Sequence, residues 1–166
     1  MGKSIGLLEL KSIPVGVETA DAVLKAANVE LLTASPTCPG KYVIILCGAV
    51  GAVKSAMESG KQMAGIHLVG SHIINNVHDS VPSAIVGTAE VERTGAIGMI
   101  ETMTALTAVQ AGDLAAKAAN VTLMEIRIAR GLGGKGFILL TGEVSSVRSA
   151  VKAAMHQLEE TGDITS

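Results

Sequence analysis

The chain repeats itself, and that fact constrains its fold more than any other. Residues Ile5–Leu31 align with Ile97–Leu123 at an offset of 92, with 11 of 27 positions identical. The identities include the unbroken block Lys25-Ala26-Ala27-Asn28-Val29 against Lys117-Ala118-Ala119-Asn120-Val121. Further along, Gly40–Ala56 aligns with Gly134–Ala150 at an offset of 94, with nine identities in 17 positions. The two-residue difference falls around Pro36-Thr37-Cys38-Pro39 in the first copy and Gly131-Leu132-Gly133 in the second. The matches run through strand-like, helix-like and turn-like segments in one order, which chance similarity between alanine-rich helices does not produce. The chain is a tandem duplication of a unit of roughly 90 residues. Whatever one copy folds into, the other must fold into as well.

Each copy carries the same succession of patterns. Ser4–Leu10 is apolar and alternating, which predicts a strand. Val17, Ala20, Val23, Leu24 and Ala27 recur at spacings of three and four, which predicts an amphipathic helix over Val15–Ala27. Val29–Thr33 reads as a second strand, Ser35–Lys41 as a loop because it holds two prolines and a glycine, and Tyr42–Cys47 as a β-branched strand. A second helix over Val50–Met63, a strand over Leu68–Asn76 and a short helix over Val81–Ile85 follow. The second copy predicts strand 96–102, helix 105–119, strand 121–128, loop Arg130–Gly136, strand 137–141 and helix 144–159. The order β-α-β-β-α-β is a ferredoxin-like α+β plan, a mostly antiparallel sheet with helices packed on it. The expected domains are 1–90 and 95–166, joined through the polar stretch Gly87–Gly95. The second is expected to lack its last strand and short helix.

Composition narrows the possible functions. With one Phe, one Tyr and no Trp, the core must be filled by Ala, Val, Ile, Leu and Met. A pocket walled by aromatic rings and base stacking on aromatics are both disfavoured. A net charge of −2 argues against a nucleic-acid partner, which calls for a basic face. No apolar run reaches the ~18–20 residues of a membrane helix, and the opening MGKSIGLLEL shows no cleavable leader. A cytoplasmic protein without membrane attachment is expected.

The repeated unit resembles the bacterial microcompartment shell domain. The resemblance rests on Ile5-Gly6-Leu7-Leu8-Glu9, on Asp21-Ala22-Val23-Leu24-Lys25-Ala26-Ala27-Asn28-Val29 and on Gly48-Ala49-Val50-Gly51-Ala52-Val53-Lys54-Ser55-Ala56. Two tandem copies make the chain similar to the trimeric class of shell protein. The loop Thr37-Cys38-Pro39-Gly40-Lys41 looks like that of the type found in propanediol-utilisation shells, whose pore carries an iron–sulfur cluster. The resemblance implies a homotrimer whose six domains form a pseudo-hexameric disc, tiling edge to edge with other shell proteins around encapsulated enzymes in the cytoplasm. It implies that the loop between the second and third strands lines a central pore, here through Thr37, Cys38, Pro39 and Gly40, with Leu132 and Gly133 from the second copy. It places Lys25 and Lys117 at the tile edge; the plainer reading is that each favours the C-terminal dipole of its own helix. The family's Pro-Arg-Pro-His-like segment is replaced by Asn75-Asn76-Val77-His78, so edge contacts are expected to differ.

Cys38 is the residue with chemistry. Its Pro/Gly surroundings predict an exposed thiol, whereas Cys47, at the end of an apolar strand, reads as core or near-core packing. An iron–sulfur cluster takes thiolates at three or four corners. One chain offers a single loop cysteine, so only an oligomer can supply them. With the implied trimer, three Cys38 sulfurs would share one 4Fe–4S cluster on the threefold axis, with the fourth iron corner left to a non-protein ligand. Leu132 would add an apolar collar, and the cluster would pass electrons to a redox partner across the shell.

Other motifs carry less. Gly131-Leu132-Gly133-Gly134-Lys135-Gly136 matches G-x-G-x-x-G, but a strand follows it where a dinucleotide site needs a helix. His67, His72, His78 and His156 show no ligand spacing and are expected to be structural or solvent-facing. Glu9 and Glu101 occupy equivalent strand positions, which points to a structural role at a domain interface rather than an acid/base pair. No Ser/His/Asp set is apparent, so a non-enzymatic protein is expected. Two rivals stay open: a passive metabolite pore with an incidental thiol, and a small-ligand regulator on a duplicated ferredoxin-like fold.

Overall fold

The first copy builds a sheet with two helices on it, and the reason lies in where its small and aliphatic residues fall. The computed structural model of the chain describes residues 3–128, 131–159 and 164–166. In the first unit, which extends to Val77, strand β1 (Lys3–Leu10) leads into helix α1 (Ile13–Ala26). Strands β2 (Val29–Thr37) and β3 (Lys41–Ala49), helix α2 (Val50–Ala64), a 3-10 turn (Gly65–His67) and strand β4 (Leu68–Ile74) follow. The strands pair antiparallel in the order β2-β3-β1-β4. This is the expected ferredoxin-like plan.

The apolar positions of β1 and β3 meet the helices. Leu8, Leu10, Ile44 and Leu46 pack with Ala20 and Val23 of α1 and Val53, Ala56 and Met57 of α2, all buried. The expected alternation of β1 is absent: Ser4 to Leu10 are all buried, as suits a central strand. Helix α1 buries Ala20 and Val23 as its periodicity predicts, but the rest of its inward face is shifted. Gly16, Thr19, Ala20 and Val23 are buried, whereas Val17 and Leu24 are exposed. Gly16, which carries no side chain, lets α1 lie against the ring of Tyr42. Helix α1 starts two residues earlier than expected, where Ser12 Oγ accepts the Val15 N–H at 3.5 Å and Pro14 suits the first turn.

The second unit starts at His78. It comprises helix α3 (Ser80–Val86), strand β5 (Ala96–Thr102), helix α4 (Ala105–Ala118), strands β6 (Val121–Ile128) and β7 (Gly136–Gly142), and helix α5 (Val144–Leu158). The strand order β5-β7-β6 repeats β1-β3-β2. Helix α3, expected to close the first domain at about residue 90, instead packs against β6 and α4. Ten residues of α4 are buried, against four of α1. The expected absence of a fourth strand is modified at one point. Ile164 bridges Thr102, and Glu101 exchanges backbone hydrogen bonds with Thr165 and Ser166 at 3.0 and 2.7 Å. These tail residues lie against β5 as Leu68–Gly70 lie against β1. The expected loop position Arg130 and the tail residues 161–163 lie outside the described residues.

Helix packing through glycine predicts opposite effects for two substitutions in α2. A Cβ at Gly60 would lie 2.7 Å from Leu8 Cδ1 and from Val23 Cγ1, whereas one at Gly51 meets nothing within 4 Å. Gly60→Ala is expected to destabilise the protein by about 1–3 kcal/mol through overpacking. Gly51→Ala is expected to stabilise it by roughly 0.5 kcal/mol through backbone entropy. Chemical denaturation of the two variants checks both signs.

Candidate functional site

The loop expected over Ser35–Lys41 is much tighter. Strand β2 continues through Thr37, with Ser35 opposite Val43, Pro36 opposite Tyr42 and Thr37 opposite Lys41. Pro36 is compatible with a strand because β2 is the outer strand of its sheet, where a missing N–H breaks no ladder. The hairpin therefore turns on Cys38, Pro39 and Gly40 alone, all exposed. Gly40 has φ +71°, which favours glycine, and the Cys38–Pro39 peptide is cis. Cys38 is a free, exposed thiol at the tip. Thr37 faces inward, 6% exposed, and its Oγ1 has no hydrogen-bond partner among the described residues.

The base of the turn is tied down from below. Lys41, the first residue of β3, reaches Glu9 Oε1 at 3.0 Å. Glu9 lies on the central strand β1 and is 2% exposed. In the second copy, Lys135 reaches Glu101 Oε1 at 2.8 Å. Glu101 also accepts the Thr165 hydroxyl at 2.8 Å. Hydrogen bonds from Lys135 and then Thr165 hold its carboxyl below the usual value. Glu9 and Glu101 each pair with a lysine inside their own unit, not at the domain interface expected for them. The second turn has Leu132 half-buried and Gly133 exposed, with the Lys135 N–H donating to the Leu132 carbonyl at 3.2 Å. Gly131 and Gly133 have φ of +71° and +62°.

The two edge candidates differ. Lys25 pairs with Asp21 at 2.6 Å, and both side chains are well exposed. Lys117 pairs with Asp113 at 2.6 Å, but the Asp113 side chain is only 5% exposed. Asp113 also accepts the His78 backbone N–H at 2.8 Å, ahead of α3. Asp113 is a buried structural position that sequence reasoning misses. Its signal is present all the same, because Asp21/Asp113 is one of the identities of the repeat.

Cys47 is not in the core. It stands half-buried at the end of β3, its Sγ 3.9 Å from Glu30 Oε2. Partial burial, then the Glu30 charge, pushes its thiol pKa up. Among the described residues, no three His, Cys, Asp or Glu side chains gather as a metal site. An iron–sulfur cluster therefore fits this chain only as a shared group, with Cys38 as one chain's contribution. The exposure of Cys38 is compatible with sharing.

The BMC domain family matches residues 4–77 and 96–166. The chain belongs to the BMC domain family. It is 44% identical over 162 residues to the bacterial microcompartment shell protein PduT of Citrobacter freundii, covering 98% of this chain and 88% of that protein. It is 30% identical to the carboxysome assembly protein CcmO of a Synechococcus strain, covering 97% of this chain but 62% of that protein. The crystal structure of a microcompartment protein from Desulfitobacterium hafniense superposes with a TM-score of 0.97 at 45% identity, covering all of this chain and 92% of that one. No helix among the described residues is long and apolar enough to cross a membrane.

Within this BMC pair the two lysines are expected to respond differently to removal. Lys25→Ala breaks an exposed pair and should cost under about 0.5 kcal/mol. Lys117→Ala strips a donor from a buried carboxylate and should cost about 1–3 kcal/mol. Equal denaturation midpoints for the two variants would contradict this. The thiols should also separate: at a pH of about 8, near the ordinary thiol range, Cys38 is expected to label fast with a disulfide reagent and Cys47 slowly. Cys38→Ser then removes the fast phase and Cys47→Ser the slow one.

Proposed function

We propose that the chain is a structural tile of a bacterial microcompartment shell in the cytoplasm. Three copies close around a threefold axis, so that six BMC domains form a pseudo-hexameric disc with a central pore. Cys38, Pro39 and Gly40 line the pore, alternating with Leu132 and Gly133 of the second copy, while Thr37, expected to line it too, is buried beneath the turn. Lys25 and Lys117 lie at the tile edge, against other shell proteins. The interior holds encapsulated enzymes.

Three Cys38 thiolates, one per chain, hold a single 4Fe–4S cluster. Such a cluster supplies one-electron transfer across the shell to a redox partner. Pro39 and Gly40 present the thiol at the tip of a three-residue turn. Leu132 forms an apolar collar that limits water around the thiolates. One observation carries the reading: the exposed thiol stands on a turn whose base is held by strand pairing and by the Lys41–Glu9 ion pair. Similarity to PduT, a bacterial microcompartment shell protein, supports the tile.

Anaerobic purification with native mass and iron analysis tests it. The expected product is a brown trimer whose visible absorbance disappears in Cys38→Ser while the trimer persists. A colourless, iron-free trimer after reconstitution would leave a plain metabolite pore. A monomer would remove the tile.

A further inference from the structure

The two turns set a constant beneath a variable tip. The tips have diverged except at their last glycine, Cys38-Pro39-Gly40 in one copy and Leu132-Gly133-Gly134 in the other, with a two-residue difference in length. Directly after each tip glycine stands a lysine, Lys41 or Lys135, and each reaches a glutamate on the central strand of its sheet or its counterpart, at 3.0 and 2.8 Å. Glu9 and Glu101 are separated by 92 residues and the lysines by 94, so the pair has survived a change in spacing between its partners. Ion pairs between residues more than 30 positions apart do not arise from local propensity. They tie the first residues of the hairpin's return strand to the strand beside it.

The geometry points to Glu9 and Lys41 as the positioning pair of the Cys38 turn. This inference rests on the reading that the turns line a pore. Glu9 is buried and its carboxylate is met by Lys41, so it fixes the lysine's end at one place on β1. Lys41 pairs with Thr37 across the hairpin, so fixing it fixes both ends of the turn that carries Cys38. The pair also places the lysine's charge against a carboxylate at the foot of the turn. Glu101 and Lys135 do the same beneath Leu132.

The test compares Glu9→Gln, Lys41→Met and Lys41→Arg in the full chain, with folding checked by circular dichroism and native mass. Two quantities are read: iron retained per Cys38 after anaerobic reconstitution, and the rate of Cys38 alkylation by iodoacetamide in the iron-free protein. Glu9→Gln and Lys41→Met are expected to lose most of the iron and to alkylate several-fold faster. Lys41→Arg, which keeps the charge and the donor, is expected to stay near wild type in both. If Glu9→Gln does not fold, the half-exposed Lys41 still separates its Met and Arg variants. Wild-type protein without iron would remove the cluster, yet faster alkylation in Lys41→Met alone would still support the positioning pair. Unchanged alkylation and iron in Lys41→Met, or equal changes in Lys41→Arg, would overturn it.

Discussion

A core without aromatic bulk closes only if its backbones come close together. This chain has one Phe and one Tyr, so its layers must meet through Ala, Val, Leu, Ile and glycine. Several glycines fall where side chains already press. A Cβ at Gly60 would meet Leu8 and Val23, one at Gly98 would meet Leu140 and Val147, and one at Gly112 would meet Ile126. Small-residue contacts leave little slack, because a close-packed interior transmits any added volume. The result is a sheet held at a fixed distance from its helices. Positions on the hairpin turns are then set by the sheet rather than by the turns' own composition.

The charged residues add a second level of constraint. Within the aligned blocks the charged identities include Glu9/Glu101, Asp21/Asp113, Lys25/Lys117 and Lys41/Lys135. In each copy these pair with one another, glutamate with the lysine after the turn and aspartate with the lysine four residues later. The pairs differ greatly in exposure, and so in worth. Asp21–Lys25 lies in water and contributes little. Asp113–Lys117 has a buried carboxylate that holds the His78 N–H as well. The same two letters of sequence thus act differently in the two copies: α3 packs against α4, where Asp113 is buried, whereas Asp21 on α1 is exposed.

Much of this is legible in the residues themselves. The duplication, the β-α-β-β-α-β order and the exposed thiol of Cys38 follow from spacing and turn residues. What escapes does so for physical reasons. Pro36 reads as a loop residue because proline breaks a strand with two neighbours; only the sheet order shows that β2 has a free side. Val17 and Leu24 read as core because periodicity alone cannot tell a glycine-lined face from a leucine-lined one. Helix α3 falls to the first copy by its position in the chain, whereas its contacts lie with β6 and α4. The buried Asp113 follows from that packing, and no local pattern announces it.

A duplicated chain that builds a ring is free to vary one copy while holding the other. The turn tips have used that freedom. One copy offers a thiol on a proline-glycine turn, and the other a leucine between glycines. In a ring of six identical domains every pore position would repeat six times. In the proposed trimer of doubled chains each position repeats three times, and two chemistries alternate. Three thiolates suit a shared cluster better than six, because a 4Fe–4S cube has four iron corners. The ion pairs beneath the tips did not vary, which is what such an arrangement requires: different chemistry presented from equivalent places.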